Sequence, residues 1–159
     1  MKILQYNILD GCRSETRYEE LANWLKMQDC DVIGYNELNE WKKEEFQEEM
    51  KKIGFPYSFL FEATSSPYYV GIASKFPVEI IKCVEEDPIY HGLIHAKING
   101  IHYFVVHLTP FASIDREREM TQIAAYVSMI KEPVIDMGDF NCFPKEVSRF
   151  KHMKGIAPW

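Results

Sequence analysis

Five polar residues stand where short apolar runs end: Asn7 in QYNIL, Glu37 in YNELNEW, His107 in VVHLTP, and Asp139 and Asn141 in MGDFN. Strand ends of a packed sheet are where loops open and ligands bind. Carboxylates with amide neighbours form an oxygen-rich set, which suits Mg²⁺ or Mn²⁺ and not Zn²⁺. Each residue also has a plainer reading. Glu37 would suit a helix start, where a carboxylate favours the N-terminal dipole, and Asn7 would suit a turn. A His closing an apolar strand is more often a hydrogen-bonded structural residue, and Gly, Asp and Asn all favour turns. Singly each signal is weak; their order along the chain carries more weight.

The elements that must position these residues are legible as periodicities. KILQYNIL, residues 2 to 9, is β-prone, and residues 15 to 29 place Tyr18, Leu21, Trp24, Leu25 and Gln28 on one helical face. DVIGYNEL is a second apolar strand, and WKKEEFQEEMKKIG is a charged helix punctuated by Gly54 and Pro56. From Tyr57 short β-like runs follow one another: YSFLFEA, YYVGIASKF, VEIIKCV, LIHAKI and IHYFVVHLT. Asn99-Gly100 between the last two is a hairpin signal, since both residues tolerate positive φ. Residues 115 to 130 carry Ile123, Tyr126, Val127 and Ile130 along one helical face, and PVIDMGDFN is a buried strand. The scattered methionines, Met27, Met50, Met120, Met129, Met137 and Met153, read as core filler. This mixture predicts an α/β sandwich with helices covering sheet faces.

A length of 159 residues with 47% hydrophobic content fits one domain with a real core. The 18 basic residues against 24 acidic give a net charge of −6, which repels polyanions and argues against avid nonspecific nucleic-acid binding. Cys12, Cys30, Cys83 and Cys142 show no CxxC pairing and no apolar leader precedes the first strand, so a reduced, cytoplasmic protein is expected. No apolar run is long enough for membrane insertion.

The succession YNIL, YNEL, GIASKFPV, VVHLTP and PVIDMGDFN resembles the endonuclease/exonuclease/phosphatase superfamily, the deoxyribonuclease I-like fold, across residues 1 to 143. The resemblance implies a four-layer α/β sandwich, two mixed β-sheets flanked by helices, with residues 1–159 forming one domain that is short at its C-terminus. It implies a divalent-metal-dependent phosphoesterase, with Mg²⁺ or Mn²⁺ as cofactor and a phosphoester substrate that admits nucleic acid. Carried onto this sequence, Glu37 is the main metal ligand with Asn7 beside it. Asp139 orients or deprotonates the attacking water, and Asn141 and His107 hydrogen-bond the phosphoryl oxygens. The chemistry is coherent, because a phosphoester repels hydroxide until its charge is neutralised.

Three departures from the family pattern stand out. Asn36 replaces the usual Gln before the metal-binding Glu, and Asp136 occupies a normally apolar strand position, which calls for an edge, a gap or a raised pKa. No Asp-His dipeptide follows GDFN to supply the last catalytic His, and His152 lies too close to GDFN to match. A substitute is sought among His91, His95 and His102; His91, beside Gly92, is the one expected to reach a cleft and touch substrate. Cys142 adjoins Asn141, yet no neighbouring base supports nucleophilic catalysis. The missing segment motivates a rival expectation, an inactive or incomplete phosphate- and metal-binding module. It also leaves an exposed sheet edge through which a homo-oligomer would form.

Overall fold

A computed structural model describes residues 1–142; His152 and Met153 lie outside the described residues. Eight strands and three helices follow one another: β1 (Ile3–Asn7), α1 (Glu15–Gln28), β2 (Val32–Asn36), α2 (Lys43–Lys52), β3 (Tyr57–Phe61), β4 (Val70–Ser74), β5 (Glu79–Val84), β6 (Leu93–Ile98), β7 (Ile101–His107), α3 (Ser113–Val127) and β8 (Val134–Asp139). They form two four-stranded sheets, ordered β1-β2-β4-β3 and β5-β6-β7-β8. Both are mixed: β1 runs parallel to β2 and β7 parallel to β8, while the remaining pairs are antiparallel. Each parallel pair is joined by a helix, α1 or α3, as a parallel crossover requires.

Alternation along the strands divides the core into three clusters. On β2 and β4, Ile33, Tyr35 and Ala73 join Leu25, Phe46 and Met50 beneath α1 and α2. Their neighbours Val32, Val70 and Ile72 turn the other way and meet Ile94, Ala96, Tyr103, Val105 and Met137 between the sheets. On β7, Phe104 and Val106 face outward to Ile123 of α3. Three apolar interfaces separate four layers: helices, sheet, sheet, helix. The four-layer sandwich expected from the sequence is therefore the observed architecture.

Local chemistry accounts for the ends of these elements. Asn99 and Gly100 both take positive φ, 50° and 78°, in the two-residue turn between β6 and β7. Asp29 closes α1 in the left-handed conformation, and Glu45 accepts the Lys42 N–H at 3.3 Å across the start of α2. α3 begins two residues before the expected Asp115, at Ser113. Two methionines depart from expectation: Met50 and Met137 are buried, but Met27 and Met129 are 74% and 71% exposed and fill no core. Asp136 lies exposed on β8, an edge strand among the described residues, which accounts for a carboxylate in an apolar strand. Among the described residues no helix is long and apolar enough to cross a membrane.

Candidate active site

The two parallel pairs end side by side. Asn7 on β1 is the register partner of Asn36 on β2, and His107 on β7 that of Asp139 on β8. Asn36 is fully buried and donates Nδ2 to Val106 O at 2.8 Å, tying the first sheet to β7. The replacement of Gln by Asn thus sits at a cross-link between sheets. Glu37, one residue past β2, adopts φ 60°, a conformation that is uncommon and strained for a residue other than Gly or Asn. It is held there by the turn after β1: Gly11 N–H donates to its carbonyl at 2.7 Å and Asp10 N–H to its Oε2 at 2.8 Å.

Asn7 Nδ2 then bridges two carboxylates, donating to Glu37 Oε1 at 2.8 Å and to Asp139 Oδ2 at 3.0 Å. Its own Oδ1 accepts from Leu9 N–H at 2.9 Å, which fixes the amide orientation. Asn141 N–H donates to Asp139 Oδ1 at 2.9 Å, and its Nδ2 to Leu108 O at 2.7 Å. One ligand atom from each of Glu37, His107 and Asp139 lies within 4.8 Å of the others. Burial holds the His107 imidazole below its ordinary pKa despite the nearby Asp139 and Glu37 charges, so it is neutral at neutral pH. Two carboxylates and an imidazole could hold a divalent cation here, whereas the Asn7 amide, expected beside Glu37 as a ligand, turns its NH2 to both carboxylates and its oxygen to Leu9 N–H.

His91 belongs to the same place. It is 2% exposed, its ring stacks on His107 with centroids 4.5 Å apart, and its Nε2 has no partner although buried. Ser66 Oγ lies 2.5 Å from its Nδ1 and also accepts from Tyr68 N–H at 3.1 Å. No acceptor other than Nδ1 is found for the Ser66 hydroxyl among the described residues, an arrangement that suits the tautomer with its proton on Nε2. Desolvation first, then His107, lowers the His91 pKa to about 4. His95 and His102 sit elsewhere, on the outer face of their sheet: His95 hydrogen-bonds Tyr126 of α3 and His102, which in turn meets Glu132.

A cleft of about 550 Å³ is lined by Glu37, His91, His107 and Asn141 together with Leu9, Asp10, Ser66, Tyr68, Tyr90 and Phe111. Sequence reasoning missed its supports. Glu119, fully buried on α3, accepts Thr109 N–H at 2.9 Å and Tyr90 N–H at 3.2 Å, fastening the loops on either side of the cleft. Its only sequence signal is a carboxylate two turns into the helix after HLTP. Ser66, Tyr68 and Phe111 lie in irregular segments where no periodicity marks a role. Cys142 is exposed beside the site.

The profile of the Endonuclease/Exonuclease/phosphatase family matches residues 4–154. No curated protein matches the chain. Among solved structures, the fold is similar to that of an AP endonuclease from Archaeoglobus fulgidus, with TM-score 0.70 and 18% identity over 91% of this chain and 58% of that one. It is similar to ANGEL2, a 2′,3′-cyclic phosphatase, with TM-score 0.72 and 17% identity over 90% of this chain and 53% of that one. The 3′ phosphatase NExo from Neisseria, bound to product DNA hairpin, gives TM-score 0.67 and 18% identity over 91% of this chain and 59% of that one. This chain thus spans between half and two thirds of the length of each of these structures, and the likeness is one of fold.

Proposed function

The chain belongs to the Endonuclease/Exonuclease/phosphatase family, and we propose on that premise that it is a divalent-metal-dependent phosphoesterase. The observation that carries this reading is the convergence of Glu37, His107 and Asp139, from three separate strands of two sheets, within 4.8 Å. Glu37 would hold Mg²⁺ or Mn²⁺, with Asn7 beside it keeping Glu37 and Asp139 in place. The ion, when bound, neutralises phosphoryl charge and polarises phosphorus.

The residues of the chain then divide the work. Asp139 accepts a proton from the attacking water as the water oxygen bonds to phosphorus and the ester oxygen departs. The amide of Asn141 has a hydrogen to spare beyond its bond to Leu108 O, and it and His107 meet the phosphoryl oxygens. His91 lines the same cleft and would meet the substrate. The arrangement serves phosphodiesters and phosphomonoesters alike, nucleic acid among them.

The four thiols are free, which supports a reducing, cytoplasmic setting. Among the described residues β8 is an edge strand, the surface along which a second copy would pair, although the exposed Asp136 on it discourages such pairing.

The test is hydrolysis of bis-p-nitrophenyl phosphate and a labelled oligonucleotide with Mg²⁺ or Mn²⁺, beside Glu37→Ala and Asp139→Ala. Turnover lost in both variants supports the reading. A folded wild-type chain that binds metal through Glu37 without turnover replaces it with the non-catalytic binding module.

A further inference from the structure

The cleft is lined by two chemically different sets of residues. Glu37, His107 and Asn141 are polar, Tyr90 and Phe111 make an aromatic pair, and Tyr68 joins the two sets, 6.2 Å from the His107 ring. Tyr68, Tyr90 and Phe111 are 38%, 45% and 66% exposed, and large exposed rings gathered at one cleft mark a surface that something covers. They form a connected set: Tyr90 and Phe111 are 6.2 Å apart, and Tyr68 and Tyr90 both meet His91 edge-on, at 5.4 and 4.7 Å.

Polar bonds, not burial of the rings themselves, hold this wall. Glu119 anchors the backbones of Tyr90 and Thr109, and Arg116 Nη1 donates to Thr109 O at 3.2 Å and to Phe111 O at 3.3 Å. A fully buried carboxylate is costly to desolvate, and here its hydrogen bonds fix two loops that carry exposed aromatic side chains. His91, stacked on His107 and flanked by Tyr68 and Tyr90, stands at the junction of the two sets.

We propose that the aromatic set is a subsite for one nucleobase, so that the cleft takes a single nucleoside phosphate with its phosphoryl group at the polar set. The proposal deepens, and rests on, the reading of the polar set as a phosphoester site. Bases stack on aromatic side chains with little regard to sequence. A cleft of about 550 Å³ lies within the ~300–1,000 Å³ span of small-molecule sites.

Isothermal titration of the chain in Mg²⁺ buffer with adenosine 5′-monophosphate and with ribose 5-phosphate tests this, since the two share a phosphoryl group and differ by the base. The nucleotide is expected to bind ~10-fold tighter or more. Phe111→Ala and Tyr90→Ala, both at exposed rings, should bring its affinity towards that of ribose 5-phosphate and leave the latter unchanged. Equal affinity for the two ligands, or a preference that survives both substitutions, overturns the base subsite while leaving the phosphoester reading intact. Binding of neither ligand overturns both.

Discussion

His95 Nε2 lies 2.7 Å from His102 Nδ1, with both rings buried on the outer face of their sheet. A hydrogen-bonded chain runs through them from the Tyr126 hydroxyl to the Glu132 carboxylate, which accepts from His102 Nε2 and which Lys97 also meets at 2.7 Å. Lys82 sits 5.9 Å above the Tyr126 ring. Desolvation and then the His102 neighbour bring the His95 pKa down to about 4.

The pH dependence follows from that depression. An unfolded His takes its proton near pH 6.5, whereas folded His95 waits until about 4. Between those values the unfolded chain binds the extra proton, so the stability contributed by neutral His95 is complete above pH 6.5 and is lost as pH falls towards 4. Its slope is up to about 1.4 kcal/mol per pH unit. Urea midpoints from pH 7.5 to 4.5 should fall less steeply in His95→Gln than in the wild type; parallel profiles would contradict the assignment.

The anionic cluster predicts a stabilising ion. Glu37 and Asp139 share one amide of Asn7, and a divalent cation would relieve their repulsion. Mg²⁺ at a hundred times its Kd should raise unfolding free energy by about 2.7 kcal/mol, measured as a shift in Tm. Glu37→Ala should abolish the shift. An equal shift in that variant would place the ion elsewhere.

Much of this was readable in the sequence because short-range patterns generate it. Strand alternation at VIGYN and HYFVVH divides the core into layers, and the order of Asn7, Glu37, His107, Asp139 and Asn141 follows from where strands end. The supports were opaque because they are long-range. Nothing near Glu119 announces that its carboxylate will cross to Tyr90, 29 residues away. Asn36 reads as part of a motif, yet its bond reaches Val106, 70 residues on. Alternation alone could not separate His91 from His95 and His102, because only packing decides which face of a sheet meets a cleft and which meets a helix.

Glu119 should behave as a structural clasp. Glu119→Ala leaves the N–H groups of Tyr90 and Thr109 without their buried acceptor, at a cost of about 1–3 kcal/mol for each group left unsatisfied. Glu119→Gln keeps one acceptor oxygen but turns an NH2 towards the other N–H, so it should retain only part of the stability. Burial raises the Glu119 pKa, opposed by those same two N–H donors, so removing the charge also removes a desolvation cost. Urea titration separates the variants; equal losses would mean that charge, not the acceptor, matters.

Gly138 is the residue whose replacement should most directly separate stability from chemistry. A Cβ there would lie 1.8 Å from Val106 O, a backbone atom that cannot step aside. Gly138→Ala must therefore push β8 away from β7, and the next register pair along is His107 with Asp139. Overpacking of this kind costs about 1–3 kcal/mol. Displacing Asp139 by about 1 Å from a working geometry costs ~100-fold in rate. At a temperature where the variant remains folded, phosphodiester hydrolysis should fall by that order while circular dichroism keeps its wild-type form. Near-wild-type turnover would mean that Asp139 does not need the close approach of these two strands.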